Sequence, residues 1–179
     1  MEVLICQGVY YIFYRELLLV MKKGTKCGIV SLKSLIRHQM VEGYFNRYDV
    51  LLRYLMAKAI LTKVDYDYYK YYYLKMQSKT KTNPYTLEKH FQVFEEIVKN
   101  FDKDKFANQI AVTENFALID GAHRLACYIL FDIRELPIKK VSATGPVDYG
   151  KQKFKQLGFD QDILNKMTEV EKYILSKYK

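Results

Sequence analysis

A chain of 179 residues with 29 Lys and Arg against 20 Asp and Glu carries a formal charge of +9, and half of its residues are apolar. That length buries a real core and suits one domain over 1–179 with extensions better than two; 3 prolines and no low-complexity run exclude a long disordered tail. The positive field favours an anionic partner, and nucleotides, phosphosugars, nucleic acid and acidic glycans all fit it, as does a merely solvated basic surface.

The first segment is apolar, but no basic stretch precedes it and Arg15-Glu16 interrupts it, which argues against a signal peptide. Val9, Ile12, Phe13, Leu17, Val20 and Met21 recur at helical spacing, with Lys22-Lys23 near the C-terminal dipole and Gly24 ending the pattern. The segment 1–27 is therefore expected to be an added N-terminal helix docked on the core, ahead of the alternative of a membrane-surface anchor, whose polar face would be more strongly basic. Elsewhere nothing approaches the ~20 uninterrupted apolar residues of a membrane span. Cys6, Cys27 and Cys127 show no CxxC pair and no histidines at zinc spacing, so they are read as packing residues in a reducing, cytoplasmic setting.

Gly28 to Leu35 reads as a short strand running into a turn, followed by Arg37-His38-Gln39 and an irregular loop containing Gly43. Asn46 can cap a helix with Asp49 in its first turn; Tyr48, Leu51, Leu52, Leu55 and Ala59 form its stripe, and it should end near Leu61. Residues 60–82 read as an insertion. It carries six tyrosines between Tyr66 and Tyr73, then a polar run from Gln77 to Asn83. Tyrosines this dense cover a core edge or an interface, homodimerisation included, or stack on sugars or bases.

Asn83-Pro84 opens a helix with Leu87, Phe91, Phe94, Val98 and Phe101 at 4-3-4-3 spacing. Ile110 to Thr113 and Phe116 to Ile119 predict a hairpin, with Glu114-Asn115 as a two-residue turn whose asparagine tolerates the left-handed conformation. Ala122 to Phe131 then suits a helix buried on the hairpin, and Leu136 to Val141 a returning strand. Beyond the Gly145-Pro146 loop, 142–179 is a helical extension: Ile163, Met167, Val170 and Ile174 are in register, and Thr168 with Glu171 offers a capping box.

The informative run is Asp120-Gly121-Ala122-His123-Arg124, between the predicted hairpin and the helix. A helix's first turn presents N–H groups and the positive dipole end, and Gly121 lets an anion approach the backbone. Arg124 can fork onto phosphate oxygens and His123 can give another hydrogen bond or accept a proton. The bland alternative is an Asp-Gly turn with an aspartate cap and an Arg paired to it. Asp120 is repelled by a phosphate unless it bridges through Mg2+ or activates an attacking hydroxyl, which makes it both the catalytic candidate and the metal candidate.

The run from Phe94 to Val141, with Ile110-Ala111-Val112, Leu118 to Ala126 and Leu136-Pro137-Ile138, resembles the ParB/sulfiredoxin superfamily, and Ile29 to Ile36 resembles its first strand and turn. The resemblance implies an α/β (α+β) fold with a ParB/sulfiredoxin-like core over 28–141, carrying the N-terminal helix, the helical insertion and the C-terminal helical segment as additions. It implies that Arg47, Arg37 and His38 face the phosphate loop. Sulfiredoxins have a catalytic cysteine where this chain has Ala122. ParB proteins carry Gly-Glu-Arg-Arg, of which Gly121 and Arg124 match, and no helix-turn-helix follows here.

The superfamily's free-serine kinases carry Asp-Gly-His-Thr-Arg; Asp120, Gly121 and Arg124 match, His123 is shifted by one place, and Glu42 is the nearest counterpart of their glutamate. The reading that follows is a small-molecule kinase. Gly121, Ala122, His123 and Arg124 would bind ATP or ADP with Mg2+, and Asp120, His123 and Glu42 would serve transfer to a hydroxyl acceptor. The alternatives are a ParB-like nucleotide- and nucleic-acid-binding protein and a non-catalytic partner in a biosynthetic complex.

Overall fold

The computed structural model of the chain describes residues 27–78, 84–102, 110–143 and 149–178; the expected N-terminal helix, the polar end of the insertion and the Gly145-Pro146 loop lie outside them. The described chain is mixed α/β. Strand β1 (Cys27–Ser31) leads into helix α1 (Leu32–His38), then the hairpin β2 (Met40–Val41) and β3 (Tyr44–Phe45), and helices α2 (Tyr48–Thr62), α3 (Tyr66–Ser78) and α4 (Pro84–Lys99). After these come β4 (Ile110–Val112), β5 (Leu118–Asp120), α5 (Ala122–Leu130), β6 (Glu135–Lys140), α6 (Lys151–Gln156) and α7 (Gln161–Tyr178).

Four strands form a sheet in the order β1-β6-β4-β5, with β4 parallel to β6 and the other pairs antiparallel. Pro137 is accommodated in β6 because pairing with β4 starts only at Ile138, so its missing N–H costs no bond on that side. Helix α2 is the hub: α3, α4, α5 and α7 all pack on it. Val50, Leu51, Leu52, Met56 and Ala57 are fully buried, as befits a helix surrounded on several sides rather than one with a single apolar stripe. Among the described residues no helix is long and apolar enough to cross a membrane.

Several local expectations need correction. The stretch after β1 is a helix, not an irregular turn: Ser31 Oγ accepts the Ser34 N–H (3.1 Å), and Leu32, Leu35 and Ile36 supply its buried face. The Gly43 loop is a hairpin tip in which Glu42 and Gly43 both take positive φ, the conformation two-residue turns require. Asn46 does not cap α2; Arg47 occupies the cap position, without a side-chain cap bond. In the β4–β5 hairpin the left-handed residue is Phe116 (φ 61°), not Asn115. The Phe116 N–H bonds the Thr113 carbonyl and the Thr113 N–H the Ala117 carbonyl, so the loop has three residues. Finally, Thr168 and Glu171 lie inside α7, whose first turn is instead held by Asp160 Oδ1 on the Ile163 N–H (3.2 Å). Of the cysteines, Cys127 is buried as a packing residue, whereas Cys27 is exposed on β1.

The tyrosine-rich segment is the helix α3, and it packs. Tyr73 is fully buried and Tyr72 nearly so, the hydroxyls of Tyr66, Tyr68 and Tyr72 donate to Glu95, Asp162 and Asp160, and Tyr71 stays exposed.

Candidate functional site

Asp120 is the last residue of β5 and Ala122 the first of α5; the whole change of direction falls on Gly121, at φ 96° and ψ 20°. A side chain is strained in that conformation, so the glycine is a requirement of the junction. The first bond of α5 runs from the Leu125 N–H to the Gly121 carbonyl (2.8 Å), which leaves Ala122, His123 and Arg124 in the turn where N–H groups have no carbonyl four residues back. Asp120 is exposed at the strand's end.

Behind the loop lies a buried ion cluster. Arg47, 6% exposed, places Nε and Nη2 on the two carboxylate oxygens of Asp49, both at 2.8 Å, and its Nη1 donates to the Leu118 carbonyl at 2.6 Å. Its guanidinium also lies 5.4 Å from the centre of the Tyr149 ring. Arg47 therefore ties the start of α2 to β5, two residues before Asp120. Arg53, one turn beyond Asp49, donates from Nη1 to the Asp49 carboxylate (3.0 Å) and carbonyl (2.8 Å). Burial alone would push the Asp49 carboxyl up, but the charge and hydrogen bonds of Arg47, with the charge of Arg53, hold it below the usual carboxylate range.

His123 faces inward. Its Nε2 is 2.8 Å from the Tyr73 hydroxyl, and its ring centre is 4.6 Å from that of Phe94, which stacks on Tyr73 at 5.3 Å. Burial pushes the Tyr73 hydroxyl up to about 12, against a smaller opposing pull from Arg53.

The remaining expected site residues lie elsewhere. Arg37 is exposed in the last turn of α1, and the ring of His38 stacks on Phe116 (4.8 Å, 17°) at the hairpin tip. Strand β5, three residues with a rise of about 10 Å, leads from that tip to Asp120. Glu42 is exposed at the β2–β3 tip, and among the described residues none of these three forms a hydrogen bond or ion pair with the loop. What joins this region to β5 is Gln39, whose amide donates to the Phe116 carbonyl (2.7 Å) and accepts the Leu118 N–H (2.9 Å).

Asp49, Arg53, Tyr73 and Gln39 were missed by sequence reasoning as site residues. The one usable signal was the Arg47-x-Asp49 and Asp49-xxx-Arg53 spacing inside an otherwise apolar helix. No protein-family model, curated protein or solved structure matches the chain.

Proposed function

We propose that the chain is a phosphotransferase of the ParB/sulfiredoxin type, moving a phosphoryl group from ATP or ADP to a small hydroxyl acceptor. The observation that carries this reading is an exposed carboxylate, Asp120, followed by a left-handed glycine and a helix start. Backbone groups from Gly121 to His123 would cradle the donor phosphates, with Arg124 and His123 neutralising the charge that develops on the transferring group. Asp120 takes the acceptor's proton as its oxygen bonds to the terminal phosphorus, while the bond to the bridging oxygen breaks and the nucleotide leaves one phosphate shorter.

Among the described residues no three His, Cys, Asp or Glu side chains converge on one point, so a Mg2+ would be carried by the nucleotide phosphates and water, with Asp120 as at most one side-chain ligand. When bound, the ion supplies charge neutralisation between the phosphates. Arg47, with its three nitrogens engaged inside the fold, contributes by bracing β5 rather than by reaching a ligand. Arg37, His38 and Glu42 are left out of the proposed machinery.

The test pairs binding with turnover. ADP or ATP with Mg2+ should raise the melting temperature of the wild type. Asp120→Asn should keep that shift and lose transfer in a screen of hydroxyl metabolites read by phosphorus NMR, and Arg124→Ala should lose both. Turnover by Asp120→Asn at the wild-type rate would rule out the proposed base, and a flat thermal response up to millimolar nucleotide would rule out the site. The charge of +9 also permits a second reading, a nucleic-acid-binding module, whose signature is DNA affinity falling steeply with salt in the absence of transfer.

A further inference from the structure

We infer that Arg53 is the built-in counter-charge of the loop: with Arg47 and Asp49 it forms a buried cluster of net charge +1 behind Asp120 to Arg124, and that surplus helps to hold an anion in front of it. The inference rests on the phosphate-loop reading and adds to it a residue that touches no ligand. Two guanidinium groups face one carboxylate, and the side chains of Arg47, Arg53 and Asp49 are 7%, 11% and 4% exposed. Among the described residues no second carboxylate bonds either arginine. Arg47 alone already matches Asp49, because its Nε and Nη2 take both carboxylate oxygens at 2.8 Å. Arg53 is thus the surplus. Its Nη1 shares Asp49 Oδ2 at 3.0 Å and otherwise meets the Asp49 carbonyl and, at 3.7 Å, the Met76 sulfur. Its Nε is buried with no hydrogen-bond partner among the described residues.

Such an arrangement is costly for a purely structural part. An interior charge without a partner of its own lowers stability, and an apolar side chain of similar volume in its place is commonly neutral or stabilising. The cluster's position supplies a reason for keeping it. Arg47 Nη1 holds the Leu118 carbonyl, and two residues of strand, about 7 Å, lead from there to Asp120. On the other side the charge of Arg53 reaches the Tyr73 hydroxyl, where it opposes the upward push of burial, and that hydroxyl lies 2.8 Å from His123 in the first turn of α5. The surplus charge therefore sits on the order of 10 Å behind the junction. At that distance, and at an effective dielectric of about 20, one unit charge changes the affinity for another about tenfold. It also offsets Asp120, whose carboxylate by itself repels a phosphate at the loop.

Calorimetric titration with ADP and Mg2+, paired with melting curves, tests this on three proteins. Arg53→Met removes the charge, leaves Asp49 matched by Arg47 and keeps much of the volume, whereas Arg53→Lys keeps the charge and discards the planar fork. Arg53→Met should melt at or above the wild-type temperature and bind about tenfold more weakly, and Arg53→Lys should recover most of the lost affinity. Three results overturn the inference: Arg53→Met binding as tightly as the wild type, Arg53→Lys binding as weakly as Arg53→Met, or Arg53→Met melting well below the wild type, which makes Arg53 a structural strut. A wild type that binds no ADP is a different failure, since it removes the phosphate-loop reading and this inference with it.

Discussion

At the scale of single residues, Asp49 compensates two arginines with one carboxylate in the interior, so its removal leaves like charges buried together. Asp49→Asn keeps the shape and takes away the charge, and we expect a loss of about 3–5 kcal/mol in urea unfolding, the range for breaking a buried pair from one side. The pH dependence has a definite sign. Because the folded carboxyl sits below its ordinary value, its contribution is fully present above the usual carboxylate range and disappears as pH falls through the folded value. An acid titration should therefore show the wild type converging towards Asp49→Asn below about pH 4. In sequence Asp49 reads first as a carboxylate favouring a helix N-terminus, with only the spacing to Arg47 and Arg53 as a hint; its four bonds to those two arginines show the other role.

At the scale of elements, long periodic segments were legible and short ones were not. The 4-3-4-3 stripe gave α4 with Pro84 at its start, and the two apolar runs gave β4 and β5 followed by α5. Helix α1 was missed because 7 residues carry too little period to outweigh the strand reading of Ile29 and Val30. Its Ser31 cap makes a checkable claim: Ser31→Ala should cost about 1 kcal/mol in chemical denaturation, with an unchanged m-value. The hairpin turn misled for a different reason. Local preference assigns the left-handed position to Asn115, but Phe116 takes it because its ring is clamped between His38 and Lys140, whose Nζ lies 4.1 Å from the ring centre. Tertiary contacts there outweigh a strain of about 1–3 kcal/mol. The site divides along the same line. The loop Asp120 to Arg124 was visible because strand, glycine and helix are contiguous, while Tyr73 reaches its His123 from 50 residues away and Gln39 holds Leu118, on the strand leading into it, from 79.

At the scale of the whole molecule, the C-terminal helix closes the fold over its earliest described elements. Glu171, 5% exposed, accepts the Phe45 N–H and the Tyr48 hydroxyl, both at 2.7 Å. Burial and the neighbouring Glu171 hold that hydroxyl above the usual tyrosine range, so it stays a donor. Glu171→Ala leaves the buried Phe45 N–H without its acceptor and the Tyr48 hydroxyl with only the Thr168 oxygen at 3.4 Å, and about 2–4 kcal/mol should be lost, with faster hydrogen exchange at Phe45 as the local signature. The same latch has a consequence during synthesis. Its partners are 123 and 126 residues apart, and β1 must likewise wait for β6. While α7 is still being translated, the Phe45 amide and the Tyr48 hydroxyl lack the acceptor that Glu171 gives them. A nascent chain stalled before residue 160 should therefore remain protease-sensitive around Phe45, and protection should appear only once α7 has left the ribosome.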